Sequence, residues 1–269
     1  MLSVSSIVGG MSDDSATEPA VLVEQRDRIL LITINRPNAK NAVNLAVSQG
    51  LADAMDRLDA DPGLSVGVLT GAGGSFCAGM DLKAFARGER CDIDGRGLGF
   101  TQCPPAKPLI AAVEGYALAG GTEVALSCDL IVAANDSAFG IPEVKRGLVA
   151  GGGGLLRLPQ RIPYAIAMEL ALTGDNLSAA RANELGLVTT LTEPGGALAG
   201  ALALAEKICA NGPLAVAATK KIIVASRYWG EQEQWTEQMQ ILAPVFLSKD
   251  AREGAVAFAE KRAPQWTGS

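Results

Sequence analysis

Histidine is absent from the 269-residue sequence. That absence removes Ser-His-Asp and Cys-His catalysis, His-ligated zinc and the commonest proton-transfer side chain near neutral pH. Acid-base chemistry is left to carboxylates, Lys, Tyr or Cys. No CxxC pair occurs among the five cysteines, Cys77, Cys91, Cys103, Cys128 and Cys209. The odd count, without a secretory signal, fits a reducing compartment, and the cytoplasm is the expected location. A dense basic cluster is also missing and the net charge is −6, so a surface for nucleic-acid phosphates is not expected. Apolar runs such as 109–113 and 198–204 fall far short of the roughly 20 residues a bilayer-spanning helix needs, and no membrane partner is expected. The first residues carry no positively charged start, and Val4 to Val8 is too short for a secretory core. Residues 1–18 read as a disordered extension, with Met11 as an alternative start.

What is present suits a large core, since 48% of the residues are hydrophobic. Ile29 to Asn35 reads as a strand halted by Arg36-Pro37-Asn38. Leu51, Met55 and Leu58, spaced i, i+4, i+7 among charged neighbours, predict an amphipathic helix. Ser65 to Thr70 reads as a second strand running into a Gly-rich turn. Strand, helix, strand indicates an α/β fold. Cys91 to Pro108, polar with Gly and Pro, reads as a surface loop. Leu109 to Val113 and Leu130 to Ala134 read as strands, with a helix-compatible stretch, Thr122 to Ser127, between them. Beyond Pro159 the chain is Ala- and Leu-rich with helical spacing, broken at Gly174, Gly186, Pro194 and Gly212-Pro213. No repeat or low-complexity tract interrupts it.

Two Gly-containing turns each follow a strand-like segment: Ala78-Gly79-Met80-Asp81-Leu82 and Ala119-Gly120-Gly121-Thr122-Glu123. Such turns either serve only chain reversal or aim paired N–H groups at a carbonyl oxygen, strengthened if Gly120 begins a helix. In isolation the plainer readings lead, with Glu123 a charge in a helix's first turn and Glu143 a surface charge. Without histidine, however, a carboxylate pair is the most economical acid-base apparatus. The run Gly151-Gly152-Gly153-Gly154 has no following Lys-Ser or Lys-Thr, so it is no phosphate loop and signals close backbone approach. Ser248 to Arg262 reads as a docked terminal helix with Ala251, Ala255 and Phe258 along one side.

Taken in order, Asn35-Arg36-Pro37, Asn41-Ala42, Phe76 to Leu82, Gly115 to Gly121, Cys128-Asp129-Leu130, Phe139 to Glu143 and the C-terminal Phe258 to Arg262 resemble the crotonase family over nearly the whole chain. The likeness is to enoyl-CoA hydratases of the actinobacterial type. It implies a spiral of ββα units over 19–210, a helical region over 211–269 that completes a homo-trimer or hexamer, and an acyl-CoA thioester as substrate. Carried over by position, the Met80 and Gly120 amides match the oxyanion donors, and Glu123 and Glu143 match the catalytic glutamates. The first is implied to hold and deprotonate water, the second to protonate C2. Ala39, Lys40 and Ala42 match a wall along CoA, with Ala78, Gly79, Asp81, Leu82, Tyr116, Leu118 and Gly151 counted in the same binding surface. Phe258 and Lys261 match contacts made to CoA from a neighbouring subunit. No metal or redox cofactor is implied, CoA being part of the substrate. Ala150 stands where the family often has Pro, and Leu155-Leu156 where Thr-Gln is common, which leaves chain-length preference open. An enoyl-CoA isomerase and a non-catalytic acyl-CoA-binding homologue are the alternative readings.

Overall fold

The computed structural model describes residues 18–269. The expected extension, apart from Glu18, and Met11 lie outside the described residues. Strands β1 (Val21–Arg26) and β2 (Ile29–Ile34) form an antiparallel hairpin. Next come α1 (Leu45–Ala60), β3 (Val66–Gly71), α2 (Leu82–Ala86), β4 (Leu109–Val113), β5 (Tyr116–Leu118) and α3 (Gly120–Leu126). They are followed by β6 (Leu130–Ala134), β7 (Ala138–Gly140), α4 (Gly154–Arg161), α5 (Tyr164–Thr173), β8 (Asn176–Ser178), α6 (Ala179–Glu184) and β9 (Thr190–Thr192). The chain closes with α7 (Ala197–Cys209), α8 (Pro213–Ala225), α9 (Gln234–Phe246) and α10 (Lys249–Glu260).

The strands form a six-stranded sheet in the order β1-β2-β3-β4-β6-β9 and a three-stranded sheet in the order β5-β7-β8. From β2 across to β9 the large sheet is parallel. The chain alternates between the two layers. β4 lies in the large sheet and β5 in the small one before α3 follows; β6 and β7 repeat the pattern. Earlier turns do the same with single bridges, Val43 pairing with Met80 and Cys77 with Ala117. This is the ββα spiral that the sequence resemblance implied.

Alternation along β2 explains why the large sheet is covered on both faces. Leu30, Ile32 and Ile34 join Leu51, Met55 and Leu58 of α1 in the main core. Ile29 and Leu31 face the opposite way, against α7, whose Ala197, Ala201 and Ala205 recur at i, i+4, i+8 and let the helix sit close. The expected strands and the α1 stripe are found, but β1 goes unread from sequence: as an edge strand it exposes Leu22 and Val23 and shows no buried alternation. The last third is helical as expected, apart from the short β8 and β9.

The segment from Cys91 to Pro108 departs from its surface-loop reading, because Leu98 and Phe100 are buried in the main core. A hydrogen bond from the Ser48 hydroxyl of α1 to the Cys91 carbonyl ties it down. α10 departs in its orientation. Ser248 caps it by accepting from the Ala251 amide at 3.0 Å, but Ala257 is the buried side chain and Phe258 is 87% exposed. α8 and α9 bury no residue fully, and Ile223, Trp235 and Phe246 lie exposed along them. No single helix among the described residues is long and apolar enough to cross a membrane.

Asn41 holds the turn after β2 to the turn after β3. It is fully buried, donates to the carbonyls of Ala72 (2.8 Å) and Ser75 (2.6 Å), and accepts from the Arg36 amide at 2.9 Å. Asn41→Ala strands these buried groups and is expected to cost roughly 1–3 kcal/mol in urea unfolding. An unchanged midpoint would show that the two turns hold each other without it.

Candidate active site

The small sheet brings the two Gly-containing turns together. The Cys77 amide donates to the Tyr116 carbonyl (2.9 Å) and the Leu118 amide to the Cys77 carbonyl (3.0 Å). Beyond this bridge the chain reverses at Gly79, φ 99°, where a Cβ would stand 2.7 Å from that of Ala119 and 3.1 Å from the Gly120 nitrogen. Only glycine fits there. Ala119 itself takes φ 52°, an uncommon conformation for a residue with a side chain, and its amide donates to the Gly140 carbonyl at 2.9 Å.

Two amides are thereby left facing one region. The Val43 amide donates to the Gly79 carbonyl (2.8 Å) and the Asp81 amide to the Val43 carbonyl (2.9 Å), which holds the chain on either side of Met80. The Met80 N–H has no acceptor among the described residues. Gly120 opens α3, so its N–H has no partner within the helix. A Cβ at Gly120 would lie 3.5 Å from the Met80 nitrogen, so the two N–H groups are close neighbours. A pair of free donors is suited to an oxygen that gains negative charge.

Glu123 projects from the first turn of α3, is only 3% exposed, and accepts at Oε1 from the Gly154 amide at 2.9 Å. The close approach expected of the four-glycine run is to this carboxylate, since a Cβ at Gly152 would stand 2.7 Å from Oε2. Burial pushes the Glu123 carboxyl above its ordinary value, while the Gly154, Gly152 and Gly153 amides and the Arg157 charge oppose the shift. Glu143 lies in the 3₁₀ turn Pro142–Arg146 that follows β7. Its Oε2 is buried with no hydrogen-bond partner among the described residues. Burial raises its carboxyl too, its own backbone amide opposes, and the neighbouring charge of Glu123 raises it further. Glu123 thus keeps its place in the first turn of α3 but is buried there, and Glu143 is half-buried rather than exposed.

The other expected residues divide into those near this crevice and those away from it. Ala78 donates its amide to the Lys40 carbonyl (3.0 Å), and the Lys40 ammonium stands 5.4 Å from the centre of the Tyr116 ring. Ala39 ends the 3₁₀ turn before Lys40, and the Ala42 carbonyl accepts from Arg36 at 2.6 Å. Asp81 caps α2 and pairs with Arg36 at 3.0 Å; the Ala84 amide, with Arg36 and the Lys83 amide, holds its carboxyl below the usual range. Leu82 and Tyr116 are exposed, Leu118 is half-buried, and Gly151 opens the glycine run. Phe258 and Lys261 lie at the end of α10, which packs on α9, and Phe258 faces outward.

Sequence reading passed over Leu98, Arg36 and Arg157. A Leu98 methyl stands 3.0 Å from where a Gly120 Cβ would be and 3.2 Å from the Gly152 position, so it walls both the amide pair and Glu123. Arg157 donates to the Thr101 carbonyl at 2.5 Å, fastening α4 to the Leu98 segment. The glycines flanking Leu98, Gly97 and Gly99, were the only local hint that this segment turns inward.

A raised carboxyl works against folding wherever it ionises. Below the unfolded value of ~4.3 it costs nothing; as pH climbs towards the higher folded value the unfolded chain releases its proton first and stability falls. Glu143→Gln removes that cost. We expect the variant to melt above the parent near neutral pH, on the order of 2–4 °C for each kcal/mol regained, and to match it near pH 4. Thermal melts at the two pH values check this, and an identical difference at both would contradict a raised Glu143.

The enoyl-CoA hydratase/isomerase family pattern matches residues 24–269. The chain is 46% identical over 261 residues to the enoyl-CoA hydratase EchA19 of Mycobacterium tuberculosis, covering 92% of this chain and 96% of that one. It is 39% identical over 252 residues to a carnitinyl-CoA dehydratase of Proteus mirabilis, covering 90% and 96%. Among solved structures, the enoyl-CoA hydratase EchA1 of Mycobacterium marinum superimposes with a TM-score of 0.93 at 78% identity, covering 94% of this chain and all of the other. With the spiral fold and paired glutamates beside two free amides, these likenesses lead to one conclusion: the chain belongs to the enoyl-CoA hydratase/isomerase, or crotonase, family.

Proposed function

We propose that the protein is an enoyl-CoA hydratase, a hydro-lyase that adds water across the 2,3 double bond of a 2-enoyl-CoA in the breakdown of fatty acids or related lipids. The observation that carries this reading is the pair of a buried and a half-buried carboxyl, each raised in pKa and one raised further by the other's charge, beside two amides without partners among the described residues. The thioester oxygen accepts from the Met80 and Gly120 N–H groups. Charge that builds there as water attacks C3 is stabilised, each such donor being worth about 2.7–4 kcal/mol in the transition state. Glu123, with backbone amides favouring its ionised form, takes the proton from water. Glu143, raised by burial and by the charge of Glu123 and with no donor to its Oε2 among the described residues, in its protonated form delivers its proton to C2. Written this way the reaction uses no metal or redox group, and CoA arrives and leaves with the substrate. The likeness to a carnitinyl-CoA dehydratase keeps carnitinyl-CoA as a second substrate class.

The outward apolar side chains of α8 to α10 support self-association as a trimer or hexamer, with Phe258 and Lys261 meeting CoA held by a neighbour. Five free cysteines support a reducing compartment such as the cytoplasm.

Glu123→Gln and Glu143→Gln are each expected to lower turnover about 10²- to 10⁴-fold while acyl-CoA binding persists. Full activity in either variant would refute the paired-acid mechanism. Activity should fall as pH drops through the raised pKa of Glu123, which must be ionised, and again as pH rises through that of Glu143, which must be protonated. Incubation with 2-enoyl-CoA thioesters of graded length, carnitinyl-CoA and a 3-enoyl-CoA, followed by mass, tests the chemistry. Gain of one water from the 2-enoyl substrates is the expected result; rearrangement of the 3-enoyl substrate alone, at constant mass, would make it an isomerase.

A further inference from the structure

The parallel strands β2, β3 and β4 present their N-terminal ends at the edge of the large sheet opposite to the glutamates. There the residues leading into them, Arg28, Ser65 and Lys107, line a cavity of about 500 Å³. This volume lies within the range of small-molecule sites. Ile208 of α7 and Leu214 in the first turn of α8 form apolar wall, and Trp266 of the C-terminal tail covers one side. The tail is fastened: Trp266 donates its ring N–H to the Ala210 carbonyl (2.8 Å), while Asp250 accepts from the Thr267 (2.7 Å) and Gly268 (2.9 Å) amides.

The polar groups here are unevenly satisfied. Asp59, also in the wall, has both oxygens occupied by the Ala106 and Lys107 amides (2.8 and 3.0 Å), and Asp250 is occupied by the tail. The Lys107 ammonium donates to the Asp61 carbonyl at 2.6 Å, and burial pushes its pKa down. The Arg28 guanidinium, by contrast, makes no hydrogen bond or ion pair among the described residues, and the Ser65 hydroxyl is buried without a partner in a residue 8% exposed. Among the described residues the carboxylates here are met while the Arg28 and Ser65 donors are not, so what these two groups call for is an acceptor. A guanidinium fork matches a planar carboxylate, and the mainly apolar wall matches a hydrocarbon body. Among the described residues Arg28 is the one cation of the wall without a hydrogen-bond partner, and with Asp59 close by a dianionic phosphate is disfavoured.

We propose that this cavity is a second ligand site, distinct from the thioester crevice, that binds a small monocarboxylate with an apolar body, its head on Arg28 and Ser65 and its chain against Leu214 and Trp266. The inference stands independently of the hydratase reading. Octanoate serves as probe and octan-1-ol as the head-group control, with tryptophan fluorescence as the readout because Trp266 is in the wall. The expected result is a saturable change with one octanoate per chain by calorimetry, absent in Trp266→Phe by fluorescence. Affinity should weaken about tenfold or more in Arg28→Gln and in the cavity-filling Leu214→Trp, and for octan-1-ol, yet stay unchanged in Glu143→Gln. No saturable binding at millimolar octanoate would overturn the proposal. So would equal affinity in Arg28→Gln and Leu214→Trp when both melt like the parent, equal affinity for the alcohol, or a signal that persists in Trp266→Phe.

Discussion

A carboxylate taken out of water must be met by donors or give up its charge, and around Glu123 that requirement is answered by backbone. The glycine run between the 3₁₀ turn and α4 approaches so closely that a methyl group at Gly152 would collide with the carboxylate. Side-chain donors would have filled the crevice; amides of glycine satisfy the acid and leave space beside it. Position matters as much as chemistry, because α3 carries Glu123 one turn after Gly120, whose N–H forms half of the amide pair. The acid and one of the two free amides are therefore set by one helix start.

Glu143 is built on the opposite logic. It sits close enough to feel the charge of Glu123, and one of its oxygens has no partner among the described residues. A buried acceptor without a donor destabilises the native state, and the large two-sided core of the spiral offsets that cost. The two acids thus occupy contrasting settings, one solvated by main chain and one left bare. Contrasting settings are how neighbouring carboxyls come to divide the tasks of base and acid.

The spiral also separates the molecule's two ends. Crevice residues follow the small-sheet strands, whereas the cavity beneath Trp266 opens where the large-sheet strands begin. α7 packs its alanines on the large sheet and reaches the cavity with Ile208 near its C-terminal end. Beyond it, α8 to α10 turn large apolar side chains outward, surface that the described residues leave uncovered.

Much of this was legible in the chain. The α1 stripe was visible because one-sided burial imposes a helical period, and the strands 29–34, 66–71, 109–113 and 130–134 because burial on both faces makes each a short continuous apolar run. The motifs around Met80, Gly120, Glu123 and Glu143 stood out through the family resemblance, since in isolation their residues read more simply as turns and as cap-region or surface charges. Three-residue strands such as β8 and β9 carry too few positions for a period, and the exposed β1 carries none. Leu98 looked like part of a polar loop because burial there comes from α1 and the glycine run, both distant in sequence. Local order thus followed from residue pattern alone. The tertiary structure decided that Glu143 is half-buried near Glu123, that the Gly154 amide of the glycine run meets the Glu123 carboxylate and that Arg28 faces a cavity, because each depends on contacts between segments that no spacing along the chain records.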